Sequence, residues 1–307
     1  MASSAAIPVP SLVDRVRLAA TDIKLSHSVF AMPFALLGAF LARAPTEAWG
    51  SFAGKLGLVV VCMVLARTWA MLVNRIADAR FDVANPRTAA RAVASGRLPR
   101  GSAMALAAWC AGLFVLAAGG FWLAWGNVWP ALLAAPVLAW LALYSFAKRF
   151  TSLCHVLLGT ALAISPIAAA IAVRPESLGA TPSLYWLAGM VALWVAGFDV
   201  IYALQDTEFD RSAGLFSIPS RLGVKPALWL SRAMHAGAAT LLLLAARSDS
   251  RFGVLMLVGV GIVSLLLVYE HVHLARRGQA GLEMAFFTIN GIVSCVVGAL
   301  GVIDSLN

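Results

Sequence analysis

Charge is what this sequence has least of: only 12% of its 307 residues are Asp, Glu, Lys or Arg, about half of the roughly 25% usual in a soluble domain. With 61% hydrophobic residues set in long runs rather than at amphipathic spacing, a water-soluble globular fold is excluded, and lipid is the expected solvent. Cysteine is also sparse. Cys62, Cys110, Cys154 and Cys295 lie scattered in apolar stretches without a CxxC pair, which excludes a disulfide framework or a cysteine metal site. No positive charge and only a broken apolar stretch occur between Met1 and Val13, which argues against a cleavable leader.

The 23 basic residues outnumber the 14 acidic ones. They fall in short loops between apolar runs, a pattern of membrane orientation rather than of nucleic-acid binding. Nucleic acid is therefore not expected as a partner. Membrane lipid is.

Nine apolar spans are legible, at 24–44, 53–75, 103–124, 128–147, 152–173, 184–204, 226–246, 252–273 and 284–304. Each has about the 20 residues that cross roughly 30 Å of hydrocarbon as a helix. The expected fold is thus all-α, a polytopic membrane bundle of about nine helices forming one domain over 1–307, with a short polar segment over 1–22. Sixteen Lys and Arg lie on the side of the N-terminus and five on the other, which puts the N-terminus in the cytoplasm of an inner-membrane protein and the C-terminus outside.

Two cytoplasmic loops, Phe81–Gly101 and Thr207–Lys225, follow spans that end in acid. Asp78-Ala-Arg-Phe-Asp82 and Asp206-Thr-Glu-Phe-Asp210 share a DxxFD pattern, a hint of a duplicated unit. Asn74, Asp78 and Asp82 stand at i, i+4 and i+8 and so on one helical face. Asp199 precedes Asp206 by seven residues, two turns and about 10 Å deeper on a continuous helix. Two such ladders of oxygen ligands suit a pair of Mg²⁺ ions clamping a diphosphate. Asp199, deep in an apolar run, is a functional candidate on cost alone.

These segments resemble the two signature motifs of the UbiA superfamily of membrane prenyltransferases. The likeness extends to Asn85-Pro86-Arg87-Thr88, to Tyr144-x-x-x-Lys148-Arg149-x-Thr151 and to Gly214-x-x-Ser217-x-Pro219. It implies transfer of a polyprenyl group from an allylic polyprenyl diphosphate to an electron-rich aromatic ring. It further implies Mg²⁺ on Asp78, Asp82, Asp206 and Asp210 with help from Asn74, and Lys148 and Arg149 on diphosphate oxygens. Arg67 lies seven residues before Asn74, on the same face about 10 Å deeper. It would grip an acceptor carboxylate or pair with Asp199. Asp199 and Tyr202, one turn apart, would orient the acceptor or assist loss of its ring proton.

Tyr202-x-x-Gln205-Asp206 and Arg67 resemble the branch that uses aromatic carboxylates for respiratory quinones, with 4-hydroxybenzoate the foremost acceptor. Asn74-Arg75 and Tyr144-Ser145 stand where many hydroxybenzoate enzymes have Asn-Asp and Tyr-Pro, so a dihydroxynaphthoate acceptor is the alternative. A secondary transporter is the rival of another class, but it would place its polar groups near the midplane. Lys24 and His27 share one face at the start of the first span and are weaker candidates for the diphosphate. His155 is expected to be a buried hydrogen-bonding residue, and His235, His271 and His273 lack metal spacing.

Overall fold

The computed structural model describes residues 11–22, 30–282 and 284–306, and Lys24 and His27 lie outside them. Thirteen α-helices occur among the described residues, with no strand. Eight segments are long and apolar enough to cross a membrane. The ninth apolar run, expected over 24–44, appears as the 11-residue α2, Met32–Ala42.

Helix α1 (Leu12–Asp22) comes before it, where only a polar segment was expected. The long α3 spans Trp49–Ala84, 36 residues. At 1.5 Å per residue it measures about 54 Å, well beyond the roughly 30 Å of hydrocarbon. Its last turns can therefore carry Asn74, Asp78 and Asp82 where water and ions reach. Then follow α4 (Arg100–Trp125), α5 (Trp129–Ala147), α6 (Cys154–Val173), the short α7 (Ser177–Ala180) and α8 (Ser183–Tyr202). A 3₁₀ turn over Ala203–Asp206 leads into α9 (Thr207–Ser212). Next come α10 (Ile218–Leu222), α11 (Val224–Ser248), α12 (Val254–Arg277) and α13 (Asn290–Leu306), the last entered through a π-helical turn over Met284–Ile289.

The core gathers around α8, whose Leu184, Leu187, Met190, Val191, Trp194 and Val195 are fully buried. In lipid, apolar burial gives little drive for helix association, so close backbone contact must supply it. A Cβ on Gly159 would collide with the carbonyl of Ala192, and one on Gly38 with that of Pro166. These two glycines let α6 meet α8 and α2 backbone to backbone. By contrast, α4 leaves Trp109, Leu116 and Leu123 exposed at 70%, 71% and 85%, a surface suited only to lipid.

Candidate active site

Sequence-local chemistry shapes both ends of the site. Pro86 cannot continue α3, and Asn85 turns the chain there, its Oδ1 accepting from the Arg87 N–H at 3.0 Å. The Thr88 hydroxyl donates to the Asp82 carbonyl at the helix end (3.3 Å), alongside the Asn85 N–H. After α9, Gly214 takes a left-handed φ of 71°, which glycine adopts without a Cβ penalty. Ser217 then caps α10, its side chain accepting from the Ser220 N–H (3.3 Å). The return brings the Ile218 N–H to Nε2 of His155 at 3.2 Å.

That bond fixes a tautomer. A backbone N–H can only donate, so Nε2 accepts and the His155 proton sits on Nδ1. Nδ1 in turn lies 2.6 Å from Oδ2 of Asp199 and donates to it. His155 is therefore the buried hydrogen-bonding residue expected, and it holds the deep carboxylate in place.

The elements α1, α3, α4, α5, α6 and α8 enclose a cavity of about 1180 Å³. Ten candidates within the described residues line it: Asn74, Asp78 and Asp82 with Arg67 on α3, Lys148 and Arg149 after α5, and Asp199, Tyr202, Asp206 and Asp210 along α8, the 3₁₀ turn and α9. The spacing of the second ladder differs from expectation. The 3₁₀ turn over Ala203–Asp206 interrupts the helix between Asp199 and Asp206, so the two are not separated by two regular α-turns, although both still face the cavity.

Each of the four motif aspartates meets its own basic side chain. Asp78 has Arg149 at 3.4 Å, Asp82 has Arg91 at 2.7 Å and Asp210 has Lys148 at 2.7 Å. Asp206 takes a two-pronged bond from Arg87, Nε to Oδ1 at 2.9 Å and Nη2 to Oδ2, and a further one from Asn85 Nδ2 at 2.9 Å. Burial works against the Arg87 charge, but these bonds outweigh it and raise its pKa above the usual guanidinium value. Arg87 also reaches the Tyr202 hydroxyl at 3.2 Å, and Asn74 donates to Asp78 at 3.1 Å.

Arg87 and Arg91 are the functional candidates that sequence reasoning passed over. Both read as ordinary positive loop residues, and only the motif Asn85-Pro86-Arg87-Thr88 pointed to one of them. Arg75 has another task. It is 8% exposed and donates to Asp22 at 3.0 Å, and Asp22 also accepts from the Ala92 N–H at 2.7 Å. This lattice docks α1 against the cavity mouth, where Asp14, Arg17 and Thr21 join the lining.

The donor set fits a hard cation. It is made of oxygens, and Oδ2 of the fully buried Asp210 and Oδ2 of Asp82 each accept no hydrogen bond. Among the described residues no three His, Cys, Asp or Glu side chains yet converge on one point. His235 and His271, which do not line the cavity, meet each other at 3.1 Å across α11 and α12.

A cavity charged at one end and apolar below, set among eight membrane-length helices, fits a membrane enzyme. The chain belongs to the UbiA prenyltransferase family, whose sequence model matches residues 31–292. It is 32% identical over 244 residues to a 4-hydroxybenzoate octaprenyltransferase of Edwardsiella ictaluri, covering 77% of this chain and 79% of that one. To the enzyme of the same name from Alcanivorax borkumensis it is 31% identical over 198 residues, 59% of this chain and 62% of the relative's length. Among solved structures, a UbiA homologue from Aeropyrum pernix in its apo form superposes with a TM-score of 0.80 at 33% identity, over 92% of this chain and 99% of that one. A homologue from Archaeoglobus fulgidus bound to GPP and Mg²⁺ shares the fold, with a TM-score of 0.67 at 16% identity over 94% and 100%.

Proposed function

We propose that this protein, as one domain over 1–307, transfers a polyprenyl group from an allylic polyprenyl diphosphate to the ring of an aromatic carboxylic acid. The proposed acceptor is 4-hydroxybenzoate, in respiratory quinone synthesis. The observation that carries the reading is the ring of four acid–base pairs at the mouth of a cavity that continues downward through apolar walls. From Asp78 to Val59, both on its lining, α3 climbs 19 residues, about 28 Å. Phe121 and Ile171 line the same cavity, near the far ends of α4 and α6. An anionic head at the mouth with a long isoprenoid tail below matches that division. The names of the curated relatives support the same acceptor.

Bound by Asn74, Asp78, Asp82, Asp206 and Asp210, Mg²⁺ would supply Lewis-acid neutralisation of the charge growing on departing pyrophosphate. The protein's own groups do the rest. Lys148, Arg149, Arg87 and Arg91, already gathered at the mouth, hold diphosphate oxygens by charge-assisted hydrogen bonds. Arg67 grips the acceptor carboxylate deeper in the cavity. Tyr202 orients the ring beside the allylic carbon. Asp199, steadied by His155, takes the proton that the ring sheds when aromaticity returns.

The test is an assay of purified enzyme with one polyprenyl diphosphate and a panel of aromatic acids. Prenylated 4-hydroxybenzoate is the expected product. Turnover of 1,4-dihydroxy-6-naphthoate instead would move the enzyme to menaquinone synthesis. Accumulation of either compound in vesicles without a new carbon–carbon bond would point to transport.

We further propose that the site opens to the cytoplasm of the inner membrane, on the strength of the sixteen-to-five charge split. Ser212, exposed at the end of α9, is the place to check it. A Ser212→Cys variant should react with a membrane-impermeant maleimide in inverted vesicles and stay unlabelled in intact cells. Labelling from outside would reverse the orientation.

A further inference from the structure

Away from the cavity, α11 and α12 run antiparallel, joined by the short loop 249–253 and in contact through His235 and His271. Their paired ends, the start of α11 and the end of α12, carry Lys225, Arg232, Arg276 and Arg277. Among the described residues no acid pairs with them there. Helix α11 contains no Asp or Glu, and the single acid of α12, Glu270, is fully buried on the inner side. Among the described residues none of the four basic side chains forms an ion pair or a hydrogen bond. Arg232 has the Trp229 ring 4.6 Å from its guanidinium carbon and lies near the His271 imidazole of α12, neither of which neutralises it.

Position makes this costly. Arg232 is eight residues into α11, about 12 Å along the axis, whereas the interfacial layer on one side of a bilayer is only about 6 Å deep. Lys225, Trp229 and Arg232 follow at i, i+4 and i+7 and so share a face, and Trp229 is 68% exposed. Counting outward from the His235–His271 contact, Trp229 stands level with Arg277 and Arg232 about one turn deeper. The result is a short cationic furrow with an indole beside it, running from the membrane surface towards the acyl region. A guanidinium at that depth must reach up to an anion or draw one down.

We propose that the paired ends of α11 and α12 form a binding site for the phosphodiester headgroup of an anionic phospholipid. Arg232 and Arg277 grip the phosphate oxygens, Lys225 and Arg276 supply the surrounding positive potential, and Trp229 packs along the glycerol backbone. Net positive charge on the furrow selects an anionic lipid over a zwitterionic one, because the choline of the latter would meet four unneutralised cations. The furrow shares no residue with the prenyl-transfer cavity, so the site stands independently of the proposed reaction.

The test uses the full chain in nanodiscs of phosphatidylcholine, with and without phosphatidylglycerol, followed by gentle extraction and native mass spectrometry. Wild-type protein should retain phosphatidylglycerol in preference to phosphatidylcholine. Arg232→Gln should weaken that retention about fivefold, the effect of one basic residue near an anionic surface. Prenyl transfer in pure phosphatidylcholine should stay at the wild-type rate. Equal retention of the two lipids, or unchanged preference in Arg232→Gln, overturns the proposal. Loss of the bound lipid on addition of inorganic phosphate alone overturns it too, because the site would then be one for free phosphate. Should Arg232→Gln fold poorly, Lys225→Gln and Arg277→Gln, at exposed helix ends, carry the same comparison with the same outcomes.

Discussion

Asp78→Asn is expected to lower turnover by about 10²- to 10³-fold or more, the scale seen when one charge-stabilising group is taken from a transition state, while the melting temperature stays near wild type. The reason lies in its surroundings. Among the described residues Asp78 is held by Asn74 from its own helix and by Arg149 at 3.4 Å, so the amide removes a charge without undoing a strong tie. Asp206→Ala should be equally inactive but also less stable. It deletes the bonds to Arg87 and Asn85, which join the 3₁₀ turn after α8 to the loop after α3. Charge-assisted hydrogen bonds contribute about 1.5–3 kcal/mol each, and a partly exposed Arg87 places the loss at the lower end. Turnover with saturating Mg²⁺, residual activity in chelator and a melting curve, run side by side, separate the two effects. Wild-type turnover in Asp78→Asn would remove the metal-binding role assigned to it.

Arg67→Ala carries the second large effect, and it should fall on one substrate. If the guanidinium grips an acceptor carboxylate, its removal costs about 1.5–3 kcal/mol, a loss of about 10- to 150-fold in acceptor efficiency. Affinity for the prenyl diphosphate, bound a full two turns nearer the mouth, should change little. Arg67→Lys should recover only part, since an ammonium cannot match the planar fork. Asp199 already has His155 as a partner at 2.6 Å, so loss of Arg67 should not unmoor it. A well-folded Arg67→Ala enzyme with unchanged acceptor affinity rejects the grip. A protein that melts early and loses both substrates points to a structural role instead.

The bilayer makes part of this protein legible without coordinates. A span must be helical and apolar over about 20 residues, so the sequence alone placed the helices, and the boundaries of α4, α5 and α6 fall within three residues of expectation. The acid ladder on α3 was equally plain, because i, i+4 and i+8 share a face on any regular helix. Charges in an apolar chain are costly, and that cost singled out Arg67 and Asp199 before any contact was known.

What periodicity could not supply is which distant groups meet. Arg87 and Asp206 lie 119 residues apart in the chain and Lys148 and Asp210 more than 60, so no local rule pairs them. Any loop Lys or Arg can serve as an orientation signal or in a charge pair, and only the packing of α3, α5 and α8 shows which of them meet the motif aspartates. The 3₁₀ turn before Asp206 and the docking of α1 through Arg75 and Asp22 likewise follow from tertiary contacts. A single span imposes helix, depth and face, because lipid offers its backbone no other partner. The charge pairs at the mouth are set by where several spans end together, and this depends on glycine contacts such as Gly159 against Ala192 that bring the helices close enough to share one cavity.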